Sequence, residues 1–86
     1  MIYLVTVNYH SADLVSQLLK SVIEQGISKY QFVIVNNSPE DAQTQQLSDQ
    51  AVVLEAGKNL GFGGGCNLGL NWVYEQNPEA IAWLIN

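Results

Sequence analysis

The chain has 86 residues, of which 48% are hydrophobic and 13% are charged, and its formal net charge is −5. This length allows one domain rather than two, and the composition excludes an intrinsically disordered chain. Three lysines without any arginine argue against double-stranded nucleic acid and anionic membranes as partners, because phosphate groups are bound mainly by these two residue types.

The first half of the chain predicts two strands separated by a helix. Residues 2–7 form a short, uninterrupted apolar run that is typical of a strand covered on both faces. Ser11 is a predicted N-cap, and apolar residues then recur at helical spacing until Gly26 ends the pattern. Residues 32–35 predict a second strand, which stops at the turn-forming cluster of residues 36–39.

The second half predicts two more strands around a second helix. Residues 40–50 are polar and predict either a weak surface helix or a partly ordered loop. Residues 51–54 predict a third strand, and a glycine-rich loop at residues 57–65 leads into a helix that runs to Gln76. Asn77 and Pro78 break that helix, and residues 80–85 predict a fourth strand. The alternation predicts a doubly wound, Rossmann-like α/β fold with a parallel sheet and helices on both faces.

Ligands of such sheets bind beyond the carboxyl ends of the strands, which here carry residues 8–10, 36–38 and 58–67. The glycines of the last segment let the backbone approach a phosphate closely, whereas the alternative is a flexible turn that needs glycine for its dihedral angles. Asn59 and Asn67 flank the glycines and favour the phosphate-binding interpretation, because their amides can donate to and accept from a sugar or nucleotide.

Common phosphate motifs do not match this segment. The dinucleotide fingerprint requires a glycine where Cys66 stands, and a Walker loop places its lysine after the glycines, whereas Lys58 precedes them. Asn8 and Asn36 occupy the strand ends at which a phosphoacceptor domain carries acidic residues, so that function is also disfavoured. His10 has no second histidine as partner, and we expect a loop residue rather than a metal ligand.

Two further side chains allow both a functional and a structural interpretation. Cys66 is the single cysteine, so no disulfide forms within the chain, which suits a reducing, cytoplasmic compartment. We expect its thiol to be buried packing rather than a nucleophile, because no base partner is evident. Tyr9 either stacks on a base or caps the core.

Three blocks of the sequence resemble the opening motifs of family 2 glycosyltransferases. They are residues 5–11 (VTVNYHS), 33–41 (VIVNNSPED) and 59–69 (NLGFGGGCNLG), and their order and strand-end placement are similar to the rhamnosyltransferase-like branch. The resemblance implies the N-terminal part of a GT-A fold, which binds a nucleoside-diphosphate sugar such as a UDP- or dTDP-sugar. It also implies inverting transfer of that sugar to an acceptor in bacterial polysaccharide or glycoconjugate synthesis.

The resemblance assigns five residues to nucleotide-sugar binding. Asn8 and Tyr9 match the positions that hold the base, and Asn36 matches a position where many members carry an aspartate that binds the base or ribose. Gly64 and Asn67 match the loop that lies along the nucleotide. If the Asn67 amide is a buried ligand contact, Asn67→Ala is expected to weaken binding by about 1–3 kcal/mol. Asp41 matches a frequent acidic position to which we assign no role.

The family's acidic metal-binding motif is expected directly after the fourth strand, where this chain ends at Asn86. Its carboxylates bind Mg²⁺ or Mn²⁺ in the complete enzyme and neutralise the leaving diphosphate. We therefore expect the 86-residue chain alone to bind no metal and to be inactive, and we assign no catalytic residue within it.

Three interpretations remain open at this point. The chain is the donor-binding part of a transferase, a stand-alone non-catalytic module that binds a nucleotide sugar, or a remnant that only folds and oligomerises. In the family's fold the first strand lies between the second and the fourth. We therefore expect residues 81–85 to form an exposed apolar edge that favours a homo-oligomer or aggregation.

Overall fold

The computed structural model describes residues 1–85, which alternate between strands and helices as the sequence predicts. The elements in chain order are β1 (Ile2–Asn8), α1 (Ala12–Glu24), β2 (Tyr30–Asn36), a 3₁₀ helix (Ala42–Leu47), β3 (Val52–Glu55), α2 (Gly61–Gln76) and β4 (Ile81–Leu84). Each predicted strand is present, and its bounds lie within two residues of the prediction at each end.

Within these residues the strands form one parallel sheet in the order β3-β2-β1-β4. β1 therefore lies between β2 and β4, as expected. It pairs with β2 over its whole length, so that Asn8 is the register partner of Asn36 at the carboxyl end. The predicted Rossmann-like α/β fold is confirmed, and the order brings the ends of β1 and β2 together at the centre of one sheet edge.

Each face of the sheet carries its own apolar core. On one face α1 packs against alternate residues of β1 and β2, in a cluster made of Leu4, Val15, Leu19, Val22, Phe32, Ile34 and Ala51. On the other face α2 packs Val73 against a cluster made of Val5, Val33 and Val35. Because both faces of β1 and β2 are covered, their sequences are mostly apolar until the asparagines at their ends, with Thr6 and Gln31 as the exceptions.

Helix α2 begins earlier than the sequence predicts. It starts at Gly61, so Gly63, Gly64 and Gly65 belong to its first two turns rather than to a loop. A methyl group on Gly65 would lie 2.9 Å from both Val7 Cγ1 and Asn37 Nδ2, and one on Gly69 would lie 2.6 Å from Val5 Cγ1. These two glycines therefore allow the helix to approach the sheet, which explains them without a ligand.

Two other local predictions need adjustment. Ser11 does occupy the N-cap position of α1, but its side chain makes no capping bond, because its hydroxyl donates to Asn8 Oδ1 instead. The polar segment of residues 40–50 forms the 3₁₀ helix, in which the Asp41 carboxylate caps the start by accepting from Gln43 N and Thr44 is buried.

Strand β4 forms an edge of the sheet and leaves large apolar side chains in solvent. Ile81, Trp83 and Leu84 are all exposed, with Trp83 at 57%. The expected apolar edge is therefore present. Among the helices described, none combines the length and the apolar character needed to cross a membrane.

Candidate functional site

The carboxyl ends of β1 and β2 are joined by a buried pair of asparagines. Asn8 Nδ2 donates to Asn36 Oδ1 at 2.9 Å, and both side chains are buried. Asn8 Oδ1 accepts from the backbone N–H of Ser11 at 3.1 Å, and Asn36 Oδ1 accepts from Ser38 N at 3.1 Å. The pair thus fixes both loops that leave these strands.

The side-chain N–H groups of Asn8 and Asn36 also all donate hydrogen bonds within the chain. Asn36 Nδ2 donates to Glu55 Oε1 at 3.0 Å and to the backbone oxygen of Asp41 at 3.2 Å. Asn8 Nδ2 makes a second bond to Asp41 Oδ2 at 3.3 Å. A direct contact between either amide and a base would break one of these bonds, so the contacts do not favour the predicted role, which stays a prediction.

A cleft of about 280 Å³ opens next to this network, between the end of β1 and the start of α2. Its lining comprises Val7, Tyr9, Ser11, Asn37, Asn59, Gly61 and Phe62. Tyr9 and Phe62 are 54% and 58% exposed, so two aromatic side chains stand in solvent beside the same cleft. A planar apolar ligand group could shield both.

Asn37 is the polar residue of this cleft whose unpaired hydrogen-bonding group is buried. The residue is 1% exposed, and its Nδ2 donates to the backbone oxygen of Gly61 at 2.9 Å. Its Oδ1 is buried and has no hydrogen-bond partner among the residues that the structure describes. A buried acceptor without a partner costs about 1–3 kcal/mol, and a ligand that donates to it would recover that free energy. Because Oδ1 has almost no accessible surface, a neighbouring side chain of the cleft must move before a ligand contacts it.

The start of α2 supplies the opposite wall. Asn59 Oδ1 accepts from Gly61 N at 2.9 Å, and Gly61 has a φ of 75°, in the left-handed region that favours glycine. Leu60, at the N-cap position, makes no side-chain capping bond. Asn59 therefore takes up the first N–H of the helix, at Gly61, and the N–H groups that follow at the start of α2 have no side-chain cap, which favours an anion there.

Gly64 and Asn67 lie within α2 rather than in a loop. A methyl group on Gly64 would lie 2.8 Å from Leu60 Cβ, inside the turn itself. Asn67 is exposed on the side of α2 opposite Gly65 and Gly69, which face the sheet, and it does not line the cleft. The roles predicted for Gly64 and Asn67 along a nucleotide remain predictions.

The loop after β1 is held against the loop after β2. His10 N donates to Ser38 Oγ at 2.7 Å, and His10 Nε2 lies 2.8 Å from Glu40 Oε1. The ring of Tyr9 contacts that of His10 edge-on, with centroids 4.5 Å apart. His10 therefore links the loop after β1 to the loop after β2, and its ring packs against that of Tyr9.

A larger cleft, of about 610 Å³, lies at the start of α1 and carries acidic side chains, among them Asp13, Glu40 and Asp41. Within residues 1–85 the structure gathers no group of three or more His, Cys, Asp or Glu side chains that could hold a metal ion. Glu40 is paired with His10, and both Asp41 carboxylate oxygens accept hydrogen bonds. These residues do not fit the Mg²⁺ or Mn²⁺ site implied for the complete enzyme, which requires several free oxygen ligands. Asn86, where the acidic motif is expected to begin, lies outside the described residues.

Two cleft residues were not singled out by the sequence. Asn37 directly follows Asn36 in the sequence. Only the strand register shows that Asn36, rather than Asn37, is the partner of Asn8 within the sheet. Phe62 is one residue in a glycine-rich run, and its 58% exposure is what marks it as available to a ligand. An isolated aromatic between glycines is the signal that could have identified it.

Comparison with known proteins gives one match. The model of the family described as Glycosyl transferase family 2 matches residues 3–84 of the chain. The match includes all four strands and both α-helices, and therefore every residue of the cleft. No curated protein matches the chain, and no solved structure does.

Proposed function

Because the chain belongs to glycosyl transferase family 2, we propose that it binds a nucleoside-diphosphate sugar for transfer of the sugar, with inversion, to an acceptor hydroxyl. The proposed donor site is the cleft of about 280 Å³ between β1 and α2. The observation that carries this proposal is Asn37 Oδ1, a buried acceptor that has no partner within residues 1–85 and lies beside two exposed aromatic side chains.

The free acceptor at Asn37 favours particular bases. Because Nδ2 of the same amide donates to the Gly61 oxygen, the orientation of the amide is set and Oδ1 can only accept. Uracil and thymine both carry an imide N–H, whereas the corresponding ring nitrogen of cytosine is an acceptor. A UDP- or dTDP-sugar therefore complements the cleft, and a CDP-sugar leaves two acceptors facing each other.

The start of α2 accounts for the diphosphate in the same proposal. Gly61 N donates to Asn59, but Gly61 and Phe62 line the cleft, so the next N–H groups of the helix and the positive end of its dipole would lie beside the bound nucleotide. Tyr9 and Phe62 would cover the base and sugar. Asn8 and Asn36 support the site through the loops they hold. Gly64 and Asn67 lie within α2 and do not line the cleft, so this proposal gives them no contact with the nucleotide.

Further parts of the function belong to the same proposal. We place the protein in the rhamnosyltransferase-like branch on its sequence blocks, and in polysaccharide or glycoconjugate synthesis. A reducing, cytoplasmic setting agrees with the buried free thiol of Cys66. A homo-oligomer through β4 agrees with its exposed apolar side chains.

Titration calorimetry with UDP, dTDP and CDP tests the donor site. We expect UDP and dTDP to bind, and CDP to bind at least about 10-fold more weakly, which corresponds to one lost buried hydrogen bond of about 1.4 kcal/mol. Asn37→Ala should abolish the preference over CDP. Added Mn²⁺ should leave the affinities unchanged, because Glu40 and Asp41 are already paired or hydrogen-bonded.

Phe62→Ala supplies a variant that does not disturb the core, since the side chain is exposed. It should weaken UDP binding while the unfolding midpoint stays unchanged. Failure of the wild-type chain to bind any of the three nucleotides at millimolar concentration would overturn the donor site. Equal affinity for UDP and CDP would remove Asn37 from it.

A further inference from the structure

We propose that Glu55 is a positioning residue of the donor site and acts through Asn36. This inference rests on the proposed function, because it assigns a role in nucleotide binding to a side chain that does not line the cleft. Glu55 ends β3, and its Oε1 accepts from Asn36 Nδ2 at 3.0 Å. Its Oε2 accepts from Gln45 Nε2, which ties the carboxylate to the 3₁₀ helix.

A series of hydrogen bonds leads from Ser11, in the loop after β1, through the two asparagines to Glu55. In each of these bonds the donor is the residue on the Ser11 side. Ser11 N–H can only donate, so Asn8 presents its oxygen there and its nitrogen to Asn36. An ionised Glu55 can only accept, so Asn36 presents its nitrogen to Glu55 and its oxygen to Asn8. Glu55 therefore holds the Asn36 amide in one orientation together with Ser38 N, which donates to its oxygen, and the Asp41 backbone oxygen, which accepts from its nitrogen.

The orientation of the Asn36 amide affects the cleft through the backbone. Asn37 N donates to the backbone oxygen of Asn8 at 2.8 Å, and Ala56 N donates to that of Asn36 at 3.1 Å. Tyr9 and Asn37 directly follow the two asparagines. If the Asn36 amide loses its partner, the segment that presents Asn37 Oδ1 to the ligand loosens, although no cleft side chain has been changed.

Asparagine at position 36 is needed because of the acids around it. An aspartate there could not donate to Glu55 Oε1 or to the Asp41 backbone oxygen, and it would place two carboxylates in contact. In that variant a glutamine at position 55 can supply the missing donor, since its amide can turn its nitrogen toward the carboxylate introduced at position 36. Exchanging the two functional groups therefore restores the hydrogen bond with its direction reversed.

The test compares Asn36→Asp, Glu55→Gln and the double variant in the full chain. Two quantities are measured: UDP affinity, and hydrogen exchange of the Asn37 backbone N–H by NMR. Asn36→Asp should weaken UDP binding at least about 10-fold and speed exchange, because the segment opens more often. Glu55→Gln alone should stay within about threefold of wild type, since its oxygen can still accept. The double variant should recover most of the loss.

Glu79→Gln is the matched control, because Glu79 is exposed and lies outside the network. If Asn36→Asp does not fold, Glu55→Ala replaces it: the residue is exposed, and its loss should still speed exchange at Asn37 and weaken UDP several-fold. The proposal is overturned if a folded Asn36→Asp variant keeps wild-type affinity and exchange, or if the double variant recovers neither.

Different results would overturn the proposed donor site and the proposed positioning role of Glu55. Absence of UDP binding by the wild-type chain overturns the donor site, and the exchange of the Asn37 N–H then still decides whether Glu55 positions this segment. Normal UDP binding by the wild type together with unchanged exchange in Asn36→Asp overturns the positioning role alone.

Discussion

Three asparagines follow β1 and β2, and they differ in how much of each amide remains available. Asn8 and Asn36 use both their donors and their acceptors inside the chain. Asn37 uses its donor on Gly61 and leaves its acceptor unpaired among the described residues. The same residue type therefore serves as internal framework at two positions and as a candidate ligand contact at the third.

The sequence and the structure lead to different expectations for the role of Asn67 in nucleotide binding. From the sequence alone, Asn67→Ala is expected to weaken nucleotide-sugar binding by about 1–3 kcal/mol, if the amide is a buried ligand contact. In the structure the side chain is exposed and does not line the cleft. We therefore expect UDP affinity to stay within about twofold of wild type, as for an exposed residue away from the interface.

Asn71→Ala is the control for this measurement, because Asn71 lies one turn further along the exposed face of α2. Calorimetry on both variants decides the matter. A drop of more than about fivefold, equivalent to about 1 kcal/mol, for Asn67→Ala but not for Asn71→Ala would place Asn67 in the donor site.

At the scale of elements, the contact between α2 and the sheet depends on two glycines one turn apart. Methyl groups on Gly65 and Gly69 would meet buried valine methyls at 2.9 Å and 2.6 Å. Valine side chains are stiff about χ1, so the helix rather than the valine must move. Because α2 also provides the wall of the cleft, its distance from β1 affects both stability and the shape of the site.

Gly69→Ala is expected to destabilise the chain by about 1–3 kcal/mol, the usual cost of inserting a methyl group into a packed core. Gly65→Ala should cost a similar amount and also disturb Asn37, whose Nδ2 lies 2.9 Å from the added methyl. Urea unfolding followed by circular dichroism measures both effects.

Gly63→Ala is the control in the same helix, since a methyl group there would meet nothing within 4 Å. Its stability should be unchanged or raised by up to about 1 kcal/mol, because alanine favours a helix more than glycine does. Equal destabilisation by all three substitutions would show that close packing is not the reason for the glycines.

Most elements could be predicted from the sequence because their periodicity reports burial directly. The apolar runs of β1 and β2 and the helical spacing between Leu14 and Ile23 depend on local pattern alone. The start of α2 could not be predicted, because glycine weakens helix propensity and only the tertiary contacts of Gly65 and Gly69 compensate for it.

The site was less predictable than the fold. The sequence places polar residues at the correct sheet edge, since parallel strands bring their carboxyl ends together. It does not reveal that Asn36 pairs with Asn8 and Glu55, because those bonds span 28 and 19 residues of chain. Asn37 could therefore be distinguished from Asn36 only once the register was known.

For the whole molecule, the edge at β4 is the surface that most favours association. Ile81, Trp83 and Leu84 are exposed, and the strand carries no charged side chain or proline to discourage pairing. We expect the chain to self-associate as its concentration rises, with β4 at the contact.

Trp83→Lys should shift the chain toward monomer in sedimentation experiments, because an edge lysine opposes strand pairing. The stability should change little, since Trp83 is 57% exposed. Tyr74→Lys serves as control, because Tyr74 is an exposed aromatic on α2, away from the edge. Wild-type protein that sediments as a monomer at millimolar concentration would contradict this expectation.

The hydroxyl of Ser38, which has no exposed surface, accepts from the N–H of His10 while the serine's own N–H is held by Asn36. His10 sits in a left-handed conformation, with a φ of 51°, that this bond helps to maintain. The main chain beside Tyr9 is thus held by bonds within the chain itself. The proposed nucleotide would then meet a loop that is already arranged, and we expect its binding to require movement of aromatic side chains rather than refolding of this loop.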